Sequence, residues 1–325
     1  MTKKLNGFFE FIIFAFLIAI SLILSLGSGY KNAVLDGINL WVACVVPSLF
    51  PYLFITTILS SLKVTSKFGN LFAPLTARLF NCGKSVSYAL FISILSGYPI
   101  GAKIVSDLKS QGLLSQSESV RAACLCSTSS PMFLISSVGG IMFNSTVFGI
   151  KLFFTHLISS ILVGIIFSLY HRKEKPFNNL PNHTKKLDNL LYESAYSSVI
   201  SILIVGALIT IFYLLTEILL SLGVLYPLIY LLELLFNDRV IAESIVFGIF
   251  ECTKGLKTLS AYSVSWITFP VAAAICGFGG FSVITQSIAY LKTAKIKTAP
   301  FFLSKVTAAV INFILALIVN FIFPV

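Results

Sequence analysis

Four short runs carry most of the polar chemistry that this chain sets among apolar residues. The first is Ser96-Gly97-Tyr98-Pro99-Ile100-Gly101-Ala102-Lys103. Gly97 and Gly101 let another backbone or a ligand approach closely, Pro99 has no N–H and frees a carbonyl, and Lys103 adds a full positive charge. Together they suit an anion. The same letters also describe a Gly/Pro turn whose lysine reaches out of its apolar surroundings. They do not make a nucleotide-phosphate loop, because no Lys-Ser/Thr pair follows the glycines.

The second run is Cys126-Ser127-Thr128-Ser129-Ser130-Pro131, with four successive hydroxyls ahead of a proline. Such a stretch weakens a helix, so its hydroxyls either hold a kink or hold a ligand. The third, Glu251-Cys252-Thr253-Lys254-Gly255-Leu256-Lys257, places an acid and two bases at a turn that contacts a ligand or faces water. The fourth runs from Cys276 through Gly279 and Gly280 to Ser282, with glycines where the second has hydroxyls, and Thr285 and Gln286 follow. Glu217 and His156 are further ionisable residues in apolar segments, suited to proton coupling or to simple packing contacts.

The elements that position these runs follow from composition. The 325 residues are 57% hydrophobic and only 11% charged, far from the quarter charged that a soluble domain carries. This is an integral membrane protein, all α-helical and polytopic. Crossings are expected at residues 8–26, 40–62, 119–143, 152–170, 195–222, 261–291 and 301–323, each able to span a hydrocarbon core of about 30 Å. Residues 8–26 follow Lys3 and Lys4 without a clear cleavage site after them and read as a signal anchor. Residues 85–109 and 240–259, interrupted by Gly, Pro and charge, read as re-entrant hairpins.

The net charge of +11 sets orientation rather than pointing to nucleic acid. With a cytoplasmic N-terminus, the cytoplasmic side receives Lys3, Lys4, Lys63, Lys67, Arg78, Lys84, Arg172, Lys173, Lys175, Lys185, Lys186, Lys292, Lys295, Lys297 and Lys305. The far side receives only Lys31, Lys151 and Arg239. That bias implies an odd number of crossings and hence two repeats of opposite orientation. Spacing agrees: Ser48 to Pro74 and Ser201 to Pro227 are both 26 residues, while Ser48 to Gly101 and Ser201 to Gly255 are 53 and 54. The expected organisation is an N-terminal anchor and loop over 1–38, a first repeat over 39–170, a cytoplasmic polar linker over 171–194 and an inverted second repeat over 195–325.

The six cysteines lie in or beside apolar segments without a CxxC pair and read as buried thiols, Cys124 and Cys126 lacking nearby His or carboxylate partners for a metal. No cofactor motif, ATPase motif or HExxH or GxSxG pattern occurs, so an enzyme is not expected. Inverted repeats with broken helices place ligands near the midplane, against half-helix N-termini. The expected contacts are Gly97, Tyr98, Pro99, Gly101, Lys103, Ser127, Thr128, Ser129, Ser130, Glu251, Thr253, Lys254, Lys257, Gly279, Gly280 and Gln286.

The runs SGYPIGAK (96–103), CSTSSPMFLISSVGG (126–140), GIFECTKGLKTL (248–259) and FGGFSVITQ (278–286), with VPSLFPYLF (46–54), resemble the YlbJ-type (SpoVV-like) sporulation integral membrane proteins. The resemblance covers essentially the whole chain. It implies a nucleoside-recognition gate domain akin to part of the concentrative nucleoside transporters, with inverted hairpin-plus-broken-helix repeats. It also implies movement of dipicolinic acid from the mother cell across the outer forespore membrane. A small anion and membrane lipid are then the partners, no nucleic acid is expected, and homo-oligomerisation stays open. A nucleoside or purine carrier and a non-transporting scaffold remain the rival readings.

This topology is checked by labelling single cysteines introduced at Lys31, Arg172 and Val325. Far-side access is expected at 31 and 325 and cytoplasmic access at 172; the reverse at any of the three contradicts the inverted repeat.

Overall fold

The computed structural model describes residues 27–61, 63–171, 189–261 and 265–323, with Ile18 and Phe177. The expected crossing over 8–26 and most of the expected linker lie outside the described residues. Among those described, every regular element is helical. Among the described residues five helical segments are long and apolar enough to cross a membrane, Gly29–Leu59, Thr146–Phe167, Leu190–Ser221, Thr268–Thr293 and Ala299–Ile322, or six if one bent pair is counted. At 1.5 Å per residue the shortest, of 22 residues, still covers a hydrocarbon core of about 30 Å.

Helix α1 (Ser28–Leu40) passes through a π-helical turn, Trp41–Val45, into α2 (Val46–Ser61). The apolar helix thus starts before residue 40, where Lys31 and Asp36 diluted the hydropathy signal. Next come α3 (Lys63–Phe80), α4 (Lys84–Ser96) and α5 (Ile100–Ser110), with α4 turned back by 100° from the end of α3. Then α6 (Gln116–Leu125), α7 (Phe133–Met142, wound as a π-helix) and α8 (Thr146–Phe167) complete the first half. The expected crossing over 119–143 is therefore not one helix. Its four hydroxyls and Pro131 divide it into two.

The second half repeats the order. Long helix α9 (Leu190–Ser221) is followed by α10 (Tyr226–Phe236), the pair α11 (Arg239–Phe250) and α12 (Cys252–Ser260), the broken pair α13 (Thr268–Phe278) and α14 (Gly280–Thr293), and α15 (Ala299–Ile322). Each half therefore contains a long helix, a shorter one, a helical hairpin, a broken helix and a closing helix. The halves interlock: α9 packs on α1 and α2, α15 on α8, and α14 on α5, where Ser106 donates to the Tyr290 carbonyl at 2.7 Å.

The solvent-facing and core-facing compositions are reversed relative to a soluble protein. Leu71, Leu235 and Phe321 are at least 70% exposed, whereas Glu118, Arg121, Lys305 and Asn312 are buried. An apolar exterior matches hydrocarbon, and several of the charged groups turned inward are met by the backbone. Both oxygens of Glu118 accept backbone N–H bonds, from Gly83 at 2.7 Å and Phe177 at 3.0 Å. Arg121 donates to the carbonyls of Tyr170 and His171 just beyond the end of α8. All six cysteines are buried thiols, and among the described residues no cluster of three or more His, Cys, Asp and Glu suits a metal.

Candidate functional site

Residues 127–130 separate α6 from α7 without helical structure. Pro131 explains where the break falls, since it disfavours helical geometry at the residue before it and has no N–H to give. In a membrane interior the freed groups need protein partners. The Thr128 carbonyl accepts from the Tyr98 N–H at 2.7 Å, the Ser127 carbonyl from Lys305 Nζ at 3.0 Å, and the Ser129 N–H donates to His156 Nε2 at 2.9 Å. The side chains add to this. Thr128 Oγ1 donates to the Ser93 carbonyl at 3.0 Å, the Ser129 hydroxyl to the Tyr98 hydroxyl, and Ser130 Oγ caps α7 by accepting from the Phe133 N–H. Ser127 Oγ is buried with no partner among the described residues.

The turn between α4 and α5 lies directly on this break. A Cβ on Gly101 would stand 1.7 Å from the Cys126 carbonyl oxygen, and one on Gly97, whose φ is +73°, would stand 2.6 Å from the Ser130 N. Only glycine allows the turn to sit so low. The close approach read from Gly97 and Gly101 is therefore to the broken helix. It delivers Tyr98 between the two breaks, with its ring centroid 4.9 Å from Lys305 Nζ and its hydroxyl 3.5 Å from the Cys276 carbonyl.

The second hairpin meets the second break with the roles exchanged. Gly279 and Gly280 both have positive φ, and a Cβ on Gly280 would stand 2.9 Å from the Cys252 N of the hairpin tip. At that tip Glu251 caps α12, accepting from the Lys254 N–H at 2.6 Å and the Thr253 hydroxyl at 3.2 Å. Lys254 Nζ then pairs with Glu217 at 2.7 Å and lies 4.2 Å from the Tyr213 ring centroid.

Both tips, the first break and helix α14, which follows the second break, line one cleft. Its apolar wall includes Val45, Leu49, Phe133, Val205, Ile209 and Val283, and its polar groups come from Tyr98, Ser130, Glu251, Thr253 and Gln286. The lining follows the repeat: Tyr98 and Glu251, Pro99 and Cys252, Ser130 and Val283, Phe133 and Gln286 are each 153 residues apart. Gln286 is 3% exposed, and neither its amide nitrogen nor its oxygen has a partner among the described residues. A buried amide with both ends free is costly unless something else meets it. The cleft thus offers apolar walls with a donor and an acceptor on the same side chain, the form of a site for a small polar-edged molecule.

Of the residues expected from sequence, Tyr98, Pro99, Ser130, Glu251, Thr253 and Gln286 line the cleft. Gly97, Gly101, Thr128, Ser129, Lys254, Gly279 and Gly280 build its support. Lys103 and Lys257 do not line it: Lys103 reaches Ser197 Oγ at 3.4 Å on α9, and Lys257 is exposed on α12. His156 and Glu217 hold the break and Lys254, respectively. Lys305, counted above with the cytoplasmic cations, is instead 1% exposed and bonded to the break. Its position five residues inside an apolar segment that begins at 301 was the signal that separated it from Lys292, Lys295 and Lys297.

The comparisons with known proteins agree with this geometry. A family model described as Gate, nucleoside recognition, matches residues 42–146. The chain is 27% identical over 300 residues to the sporulation integral membrane protein YlbJ of Bacillus subtilis strain 168, covering 84% of this chain and 73% of that protein. Among solved structures it is similar to a doubly substituted CNTnw in an outward-facing state, with TM-score 0.59 and 13% identity over 95% of this chain and 85% of the other. CNTnw in an inward-facing substrate-bound state gives 0.55 and 15%, over 92% and 83%. The resemblance to the YlbJ-type sporulation membrane proteins is borne out, and the fold is that of the concentrative nucleoside transporters. It is a transporter-like membrane fold.

The four hydroxyls separate experimentally. Thr128→Ala removes a buried hydrogen bond between hairpin and break and should cost about 1–2 kcal/mol, lowering the melting temperature of the detergent-purified protein. Ser127→Ala removes none and should leave it unchanged. Equal losses in the two variants would contradict the assignment.

Proposed function

We propose that this chain is a sporulation membrane transporter that moves a small aromatic dicarboxylate, dipicolinic acid, from the mother cell across the outer forespore membrane. The observation that carries the reading is the convergence of both hairpin tips, the first break and α14 on the cleft where Gln286 has no partner among the described residues. Dipicolinate is flat, with a ring nitrogen and two carboxylates that accept hydrogen bonds. Its ring suits the walls formed by Phe133, Val205 and Ile209, and its acceptors suit the Gln286 amide and the hydroxyls of Tyr98 and Ser130. A lysine stands one layer behind, Lys305 under the Tyr98 ring, whereas Lys254 beside Thr253 is paired with Glu217. Similarity to a sporulation membrane protein supports the cellular setting.

A second reading rests on one specific observation. Glu251 lies in the cleft wall together with Gln286, and a carboxylate beside an amide suits a ligand rich in hydroxyl and N–H donors, such as a nucleoside. The description of the matching gate family points the same way. A scaffold that carries nothing would bind neither.

Ligand-dependent melting of the purified protein distinguishes the three. Dipicolinate should raise the melting temperature where nucleosides and purines do not. Gln286→Leu, which removes both free polar atoms at similar volume, should weaken dipicolinate binding by about 1–3 kcal/mol, roughly five- to a hundredfold. Stabilisation by nucleosides alone would select the second reading, and stabilisation by neither would select the scaffold.

A further inference from the structure

Lys305 enters the core from α15 with an unusual set of neighbours. Its Nζ donates to the Ser127 carbonyl at 3.0 Å and lies 4.9 Å from the Tyr98 ring centroid, and among the described residues no carboxylate pairs with it. The side chain is 1% exposed, and the groups facing its nitrogen carry partial negative charge: a carbonyl just beyond the C-terminal end of α6, where the helix dipole is negative, and the face of an aromatic ring. An ammonium has three N–H groups, and Ser127 Oγ, on the same residue that accepts the first, is itself buried without a partner. Leu152 stands 153 residues before Lys305, and Lys151, 154 before it, donates to the Phe323 carbonyl at 2.9 Å, so neither places a cation on the second break.

In secondary transporters, unwound carbonyls and half-helix C-terminal ends are the groups that hold coupling cations. We infer that Lys305 is a tethered cation that occupies this position at the first break, so that the break closes and the cleft forms without an inorganic ion there. The inference rests on the transporter reading for its meaning. Its test does not, because it uses no substrate.

The full chain, purified in detergent, is melted in sodium, potassium and choline chloride at matched ionic strength. Wild type should melt at the same temperature in all three. Lys305→Ala should melt several degrees lower and recover in sodium or propylammonium relative to choline, which has no N–H and is too large for a single carbonyl cage. Selective stabilisation of wild type by sodium overturns the inference, and this arm decides even if the variant cannot be purified. So does a Lys305→Ala protein as stable as wild type, or one that responds equally to every cation.

Discussion

Four residues without helix, 127–130, lie inside a membrane protein where their freed backbone groups need partners, and the rest of the site is arranged around meeting that demand. The Tyr98 N–H to Thr128 carbonyl bond joins hairpin to break. Once that bond is made, Gly97 and Gly101 are required, because any side chain there would collide with the Ser130 nitrogen or the Cys126 carbonyl. His156 and Lys305 bring α8 and α15 to the same stretch. The cleft is what remains where these elements, and their counterparts from the second half, cannot close over one another.

The two halves solve one steric problem in different ways. Where a hairpin tip rests on a break, one partner gives up its side chains. In the first half the glycines are on the hairpin and the break carries hydroxyls; in the second, Gly279 and Gly280 are on the break and the tip carries Glu251 and Thr253. The exchange leaves Tyr98 opposite Glu251, and Phe133 opposite Gln286, in equivalent places of the lining. A symmetric scaffold therefore encloses an asymmetric set of polar groups. That is what a single off-axis ligand needs to be held in one orientation.

Much of this was legible in the sequence, for reasons that differ by residue. Gly, Pro and hydroxyl runs amid apolar residues mark places where a helix cannot continue, so the hairpin turns and the two breaks were readable, and Tyr98, Ser130, Glu251, Thr253 and Gln286 came with them. The apolar walls were not, because Val45, Leu49, Val205 and Ile209 are indistinguishable by type from lipid-facing neighbours, and only tertiary packing selects them. Charge misled in both directions. Lys103 and Lys257 stood in the same motifs but do not line the cleft: Lys103 reaches Ser197 on α9, and Lys257 is exposed. Lys305 was grouped with flanking lysines that set orientation, although it is enclosed by the break.

The central claim, that ligand sits between the hairpin tips and the breaks, is tested most directly at Val283, which lines the cleft from α14 without joining its hydrogen bonds. In a background whose native cysteines are replaced, a cysteine at position 283 is reacted with a small thiol reagent, with and without dipicolinate. The account predicts that saturating dipicolinate slows the reaction markedly. Unchanged labelling in protein that demonstrably binds dipicolinate would place the ligand elsewhere and contradict it.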